Sequence, residues 1–158
     1  MDATDHQLVQ LLQENGRATQ LQLAREVGLS QPAVAERMKK LEARGIIRGY
    51  TARVDPIALG QDVLAFVSVS LEHPKHFEAF ITRVLGLPGV LECHRVAGED
   101  SFFLKVRSEN TRALDELLVK TIRMMPGVTR TQTTIVLASI KEETRIHAAP
   151  SQAPRRTP

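Results

Sequence analysis

The sequence predicts an α+β protein with two domains, and three features of the chain lead to this prediction. Residues 19–45 carry the caps and turn of two successive helices, residues 55–62 carry the Pro and Gly of a linker, and residues 63–141 contain one pattern twice. We therefore expect a winged-helix-like helix-turn-helix domain over residues 1–54 and a ferredoxin-like βαββαβ domain over residues 63–141. Residues 142–158 are expected to form a largely disordered C-terminal tail.

Composition bounds the class of protein. The 158 residues are 42% hydrophobic but only 4% aromatic, which is enough for a core of aliphatic side chains. The single cysteine, Cys93, excludes an internal disulfide, and no apolar run approaches the roughly 18 residues that a membrane span requires. No signal-peptide pattern is visible. We expect a cytoplasmic protein that stays off membranes, and its net charge of +3 is compatible with nucleic acid.

Two short helices are expected at the start of the chain. Asp5 is a candidate cap for the first helix, which should end near Gly16. Thr19 and Gln22 have the spacing of a capping box, so a second helix is expected to begin directly after Thr19. Gly28 should end it, because only glycine enters the left-handed conformation without penalty.

The third helix has the layout of a helix that reads a DNA groove. Ser30 is its expected cap and Gly45 its end, and Val34, Met38 and Leu41 form a narrow apolar stripe. The outward positions are short or hydrogen-bonding at the start and cationic further along, which suits base edges and then phosphates. The predicted contacts with double-stranded DNA are Ser30, Gln31, Pro32, Ala35, Glu36, Arg37, Lys39, Lys40 and Arg48. The alternative is an ordinary helical hairpin with a solvated charged face.

Positive charge continues beyond this helix. Over residues 37–53 six Lys or Arg residues stand against one acidic residue. Residues 46–54 change to a β-branched composition interrupted by Gly49, which favours either a two-stranded wing or the start of an extended connector. In both cases Arg48 and Arg53 are expected beside the groove, within reach of phosphates.

The second domain alternates strand and helix patterns. The predicted order is strand, helix, strand, strand, helix, strand, with the turn between the second and third strands at Gly98, Glu99 and Asp100. The predicted ranges are 63–71, 74–86, 90–98, 101–108, a helix that carries Leu114 to Ile122, and 129–140.

An internal repeat supports this order. A Pro-Gly-Val turn follows both helices, at residues 88–90 and 126–128, so two halves are expected to form a four-stranded antiparallel sheet with both helices on one face. The other face is bare, and the first strand is apolar on both sides, with Val67 on one and Phe66 on the other. We therefore expect a homodimer formed through this domain, which presents two recognition helices to a two-fold symmetric site.

Several motifs occur in a characteristic order along the chain. They are LAREVGLSQPAVAERMKKLEARGII in the helix-turn-helix, the GY that follows it, and PGV, ECHRVAGEDSFFLKVR and PGVTRTQTTIVL in the second domain. In this order they resemble the Lrp/AsnC (feast/famine) family of transcriptional regulators over residues 4–141. The resemblance implies a nucleoid-associated, DNA-binding regulator that responds to an amino acid or related small metabolite. It also implies dimers that assemble further into tetramers or octamers.

The same resemblance implies an effector site near the glycine turn of the second domain, between dimers. The implied effector-binding residues are Gly98, Glu99, Asp100 and Ser101 in the turn and Thr129, Thr131 and Thr133 in the last strand. Glu99 or Asp100 would pair with the ammonium of a free amino acid, while backbone N–H groups around Gly98 would meet its carboxylate. Many family members carry Asp where this chain has Ser101, so the identity of the effector stays open. A solvated hairpin, in which Gly98 serves only the turn, is the alternative.

No catalytic group, cofactor site or metal site is predicted. His73 and His76 are three apart near a helix start, and Cys93 and His94 are adjacent on a strand, where neighbouring side chains face opposite ways.

Two other functions remain open. One is a DNA-compacting architectural protein without an effector, which would bind DNA with strong salt dependence and little sequence preference. The other is an enzyme, because some tetrapyrrole decarboxylases resemble this two-domain architecture. Such an enzyme would need His94, Arg95 or Arg107 to bind substrate, and the basic recognition helix argues against it.

Overall fold

The computed structural model describes residues 1–147, and these divide into two compact units. The first contains residues 1–53 together with the segment 142–147, and the second is Val54–Lys141. Residues 142–147, which the sequence assigned to a tail, thus group with the helix-turn-helix. The rest of the predicted tail lies outside the described residues.

The first unit consists of three helices, α1 (Ala3–Glu14), α2 (Gln20–Val27) and α3 (Gln31–Ala43). The prediction that Asp5 caps α1 is wrong, because Asp2 is the cap. Asp2 Oδ1 accepts from the Asp5 N–H at 2.8 Å, and Asp5 Oδ2 accepts in return from the Asp2 N–H at 3.1 Å. Asp5 is the third-position partner of a capping box.

The caps of α2 and α3 confirm the predictions. Thr19 and Gln22 exchange the two hydrogen bonds of a capping box, and Gly28 ends α2 with φ +67°. Ser30 Oγ accepts from the Ala33 N–H at 3.4 Å. The core of this unit is a small aliphatic cluster of Leu8, Leu12, Leu23, Ala24 and Val34.

No strand occurs between α3 and residue 63, so the prediction of a two-stranded wing is wrong and this segment is a connector of turns and irregular backbone. Tyr50 ties this connector back to α3, since its hydroxyl donates to Glu42 Oε1 at 3.0 Å. Burial and the Glu42 carboxylate raise the pKa of Tyr50 to about 12.

The second unit is the predicted βαββαβ sandwich. Its elements are β1 (Val63–Leu71), α4 (Phe77–Leu85, after a 3₁₀ turn Pro74–His76), β2 (Val90–Arg95), β3 (Phe102–Ser108), α5 (Thr111–Leu117, continued by a π-helical turn Leu118–Ile122) and β4 (Val128–Ile135). The strand order is β2-β3-β1-β4 and every pair is antiparallel. The predicted ends of β2 at residue 98 and of β4 at residue 140 are wrong, because these strands end at Arg95 and Ile135.

The two faces of the sheet differ as expected. Ala65, Val67 and Val69 of β1 are buried in the core against the helices, together with Phe80 and other aliphatic side chains. On the opposite face, which we call the open face, Phe66 stacks on Phe103 of β3 with ring centroids 5.5 Å apart. No helix of the second unit's described residues packs on the open face.

The two halves of the repeat are joined reciprocally. The Gly89 carbonyl at the start of β2 accepts from the Arg107 N–H of β3 at 2.8 Å, and the Gly127 carbonyl before β4 accepts from the Glu72 N–H after β1 at 2.9 Å. Gly127 also has φ +81°, and a Cβ there would overlap the His76 ring. Both Pro-Gly-Val turns therefore carry glycine where backbone approaches a neighbour closely.

Within residues 1–147 no helix combines the length and the apolar character needed to cross a membrane.

Candidate DNA-binding helix and effector cluster

The outward side of α3 carries the residues expected to contact DNA. Val34 and Leu41 are buried on the opposite side, whereas Gln31, Pro32, Glu36, Lys39 and Lys40 are exposed and Ala35 is half-buried. Because successive residues of an α-helix turn by about 100°, Pro32, Glu36 and Lys39 lie along one stripe. Ser30 caps the helix, because its hydroxyl oxygen accepts from the Ala33 N–H at the start of α3.

Arg37 lies apart from this stripe. Its Nη1 donates to Asp2 Oδ2 and to Asp5 Oδ1, both at 2.7 Å, and so joins α3 to the capping box of α1. The hydrogen bond from the Asp5 N–H, followed by that from Arg37, lowers the pKa of Asp2. Burial raises the pKa of Asp5, but the hydrogen bonds from the Asp2 N–H and Arg37 together lower it by more than burial raises it. The pKa of Asp5 therefore lies below its usual range. The structure thus occupies Arg37 with two carboxylates instead of presenting it with Lys39 and Lys40.

Arg48 is exposed on the connector, where sequence reasoning placed it. Arg53, a few residues further on, donates through Nη2 to the Glu142 carbonyl at 2.7 Å. This contact holds the segment 142–147, which we call the strap.

The strap lies along α1. The Gln13 side-chain amide donates to the Ile146 carbonyl at 3.0 Å and accepts from the Ile146 N–H at 2.7 Å. Arg145 Nη1 lies 3.4 Å from Glu14 Oε1. Gln13 therefore pairs with the strap in the way that a neighbouring peptide group would.

The structure separates the predicted effector residues into two groups. Glu99 and Asp100, from the first group, form a polar cluster with two further side chains at the end of β1. Asp100 Oδ1 accepts from Ser70 Oγ at 2.7 Å and from Arg130 Nη2 at 3.1 Å. The hydrogen bond from Ser70, followed by that from Arg130, lowers the pKa of Asp100. Glu99 Oε2 lies 3.8 Å from the same guanidinium. We call Ser70, Glu99, Asp100 and Arg130 the effector cluster.

Ser101 and Thr129 hold the backbone beside this cluster. Ser101 Oγ accepts from the Leu71 N–H at 3.1 Å, and Thr129 Oγ1 donates to the Ser70 carbonyl at 3.2 Å. Gly98 has φ +145°, and a Cβ there would meet nothing within 4 Å, so the turn is open on that side.

Thr131 and Thr133 belong to the other group. They pair with Val69 and Val67, whose side chains enter the core, so both threonines lie on the helix-facing side of β4. Thr131 Oγ1 accepts from Arg123 Nε at 2.8 Å. The structure does not bring these two residues to the effector cluster.

Ser70 and Arg130 were missed by sequence reasoning. The period of two in β4 could have placed Arg130 on the face opposite Thr131 and Thr133, but its pairing with Ser70 depends on the register between β4 and β1, which no local pattern shows.

Two of the residues named for an enzyme, His94 and Arg95, lie on opposite faces of β2. His94 Nε2 lies 3.1 Å from Glu92 Oε2, and β2 pairs it with Phe103 on the open face. Arg95 lies over the Phe77 ring, with Cζ 5.0 Å from the centroid, on the helix-facing side. Among the described residues, no group of three or more His, Cys, Asp or Glu side chains is placed to hold a metal ion.

A capped helix-turn-helix with a basic outward helix, joined to an α+β domain with a charged cluster at a sheet end, defines a two-domain transcriptional regulator. Residues 1–42 match the AsnC-type helix-turn-helix domain, and residues 64–146 match the Lrp/AsnC ligand-binding domain. The chain belongs to the Lrp/AsnC family of transcriptional regulators.

Relatives in sequence and in structure support this assignment. The chain is 36% identical to the leucine-responsive regulatory protein of Escherichia coli K12 over 148 residues, which are 92% of this chain and 90% of that protein. A Neisseria meningitidis transcriptional regulator, solved with L-methionine, superposes with a TM-score of 0.87 at 33% identity and covers 92% of this chain and 96% of its own. The feast or famine regulatory protein of Mycobacterium tuberculosis, also solved with L-methionine, gives 0.86 at 38% identity, covering 93% and 99%.

Proposed function

We propose that this regulator changes its binding to DNA when a free amino acid occupies the effector cluster. The observation that carries the proposal is the ion pair of Asp100 with Arg130 at the end of the sheet. Two similar proteins were solved with L-methionine, which supports an α-amino acid as the ligand. In this proposal residues 1–54 bind DNA, residues 55–62 link the domains, and residues 63–141 bind the effector and hold subunits together.

The effector cluster is complementary to a zwitterion. Arg130 offers a cation for the α-carboxylate, and Asp100 offers an anion for the α-ammonium, both through charge-assisted hydrogen bonds. The Arg130 side chain is 52% exposed and that of Asp100 is 22% exposed, so a ligand can reach both. Glu99 would add a second anion, and Ser70 and Thr129 would keep the strand ends in place. Thr131 and Thr133 then act only through the backbone of β4.

On the DNA side, Gln31 would contact a base edge and Lys39 and Lys40 would contact phosphates. Arg48 would reach phosphates beside the groove. Ser30, Pro32 and Ala35 would set the distance between helix and bases, and Glu36 lies in the middle of this surface. Arg37 would hold α3 in place instead of contacting DNA.

The active form in this proposal is a homodimer joined through the open face, which associates further into tetramers or octamers on the nucleoid. Phe66 and Phe103 supply the apolar contact. Catalysis is not part of the proposal, since His94 and Arg95 lie on opposite faces of β2.

Calorimetric titration with a panel of free amino acids, beside operator binding with and without each, tests the effector. At least one amino acid should bind and change operator affinity. Arg130→Gln should weaken that binding roughly 10- to 100-fold and remove the effect on DNA, because coupling between two sites is reciprocal. Arg112→Gln is the matched control, since Arg112 is an exposed cation of α5 that pairs with Glu116. Gly98 is a poorer target, because φ +145° strains any side chain.

Three results would contradict the proposal in different ways. Unchanged ligand affinity in Arg130→Gln would place the effector elsewhere. A protein that binds operator but no amino acid would be a regulator without this effector. Equal affinity for operator and random DNA would favour the architectural alternative.

A further inference from the structure

The recognition helix carries a single carboxylate on the stripe that faces outward. Glu36 is exposed, four residues after Pro32 and three before Lys39, and so lies between them on one side of α3. The other carboxylate of α3, Glu42, lies near the C-terminal end and accepts a hydrogen bond from Tyr50. A groove-facing stripe with an anion at its centre is unexpected, because DNA is itself a dense array of negative charge.

The chemistry of the major groove limits what can compensate this anion. Guanine presents two acceptors there and thymine presents one, and both would repel a carboxylate. Adenine presents an amino donor beside the acceptor N7, which suits an amide that both donates and accepts. Cytosine presents the N4 amino donor without an acceptor of its own in the groove, and a carboxylate can only accept. Among the four bases, cytosine therefore matches Glu36.

Lys40 offsets the negative charge of Glu36 on this helix. Its Nζ lies 3.3 Å from Glu36 Oε1, with the two side chains 68% and 61% exposed, so the pair is accessible from the groove. The lysine balances the charge of the carboxylate and leaves its second oxygen available. Because Lys40 lies one turn further along α3, it can hold Glu36 and still approach a phosphate.

We propose that Glu36 determines specificity by accepting a hydrogen bond from the N4 amino group of one cytosine in each half-site. The inference rests on the proposed DNA-binding role of α3 and names the base that its central residue selects.

The test is selection of binding sites from a random duplex library by the full-length protein, by Glu36→Gln and by Glu42→Gln. Both variants remove one negative charge from the same helix, so they share any general gain in DNA affinity. The wild-type protein and Glu42→Gln should select two half-sites with the same cytosine. Anisotropy titrations should then show roughly tenfold weaker binding when that C·G pair becomes T·A. Glu36→Gln should lose this discrimination or transfer it to adenine, which pairs with an amide.

The outcomes distinguish a failure of the cytosine contact from a failure of specific DNA binding by α3. If Glu36→Gln keeps the cytosine preference and binds all DNA more tightly, as Glu42→Gln does, Glu36 acts only through its charge and the inference is overturned. If the sites selected by Glu36→Gln keep the cytosine and differ from the wild-type sites only at other positions, another residue contacts that cytosine and the inference is overturned. If the wild-type protein selects no sequence at all, the proposed specific DNA binding fails first.

Discussion

At the scale of single residues, the contacts of Arg37 with Asp2 and Asp5 give this arginine a structural role. Its guanidinium bridges two carboxylates at the start of α1, so it positions α3 against the rest of the helix-turn-helix. The base contacts proposed for Gln31 and Glu36 require a recognition helix with a fixed orientation. Arg37 contributes to that orientation, while Lys39 and Lys40 remain directed outward.

Arg37→Met should lower the urea midpoint of unfolding at pH 7. It should also reduce the amount by which that midpoint falls when the pH is lowered. In the folded protein the pKa values of Asp2 and Asp5 lie below their usual value of 3.8. The stabilisation that this depression provides is present above pH about 4 and is lost as pH falls through the folded-state pKa values. The wild-type midpoint should therefore fall between pH 5 and pH 3 by more than that of Arg37→Met.

Circular dichroism during urea titrations at pH 7, 5 and 3 measures both effects. Lys39→Met is the matched control, because it removes an exposed cation of the same helix. Parallel acid profiles for the wild-type protein and Arg37→Met would show that the bridge adds no stability in solution.

At the scale of elements, the strap gives α1 a partner that no local sequence pattern predicts. Gln13→Ala removes both of its hydrogen bonds to Ile146, which should weaken docking by up to about 1–2 kcal/mol. Trypsin should then cleave after Arg145 roughly 5- to 30-fold faster, because cleavage follows the population of the open segment.

Mass spectrometry of limited digests measures that cleavage. Gln10→Ala is the control, since Gln10 is a glutamine of the same helix that has no hydrogen bond to the strap. Equal cleavage rates in the two variants and the wild-type protein would mean that the strap is undocked in solution.

Helix ends were predictable where the signal lies within a few residues. Thr19, Gly28 and Ser30 cap or end helices as their chemistry dictates, because the groups that they satisfy are two to four residues away. Asp5 was misjudged as the cap because two Asp residues three apart both fit the pattern. Only the hydrogen bonds decide that Asp2 is the cap.

Contacts between distant residues were not predictable from one sequence. Arg37 reaches carboxylates more than thirty positions earlier, and Gln13 meets a segment near the other end of the chain, so neither contact leaves a local pattern. The same limit applies to the effector cluster. The turn from Gly98 to Ser101 was found through resemblance, but the partner Arg130 depends on the register of β4.

At the scale of the whole molecule, the open face predicts how subunits associate. Phe66→Asp places a carboxylate between Phe103 and any partner surface, so the dimer should split. Affinity for an operator with two half-sites should then fall roughly 100-fold or more, because the second half-site is no longer bound from a tethered partner.

Light scattering gives the mass, and circular dichroism shows whether the domain is still folded. Leu85→Asp is the control, since Leu85 is a well-exposed apolar residue of the helical layer, away from the open face. A folded Phe66→Asp protein with wild-type mass would exclude β1 from the interface.

The strand order also determines when the protein can finish folding during synthesis. β1 pairs with β3 and β4, and the ribosome makes both of these strands later. The apolar β1 therefore has no strand to pair with while more than thirty further residues are added. The three helices before it need no later strand and can form their small core at once. The strap emerges after β4, so the nascent helix-turn-helix gains its contact with the strap on α1 only after the last strand of the sheet has been made. A ribosome that stalls between β3 and β4 would therefore expose a folded DNA-binding unit attached to an unfinished sheet with an open edge.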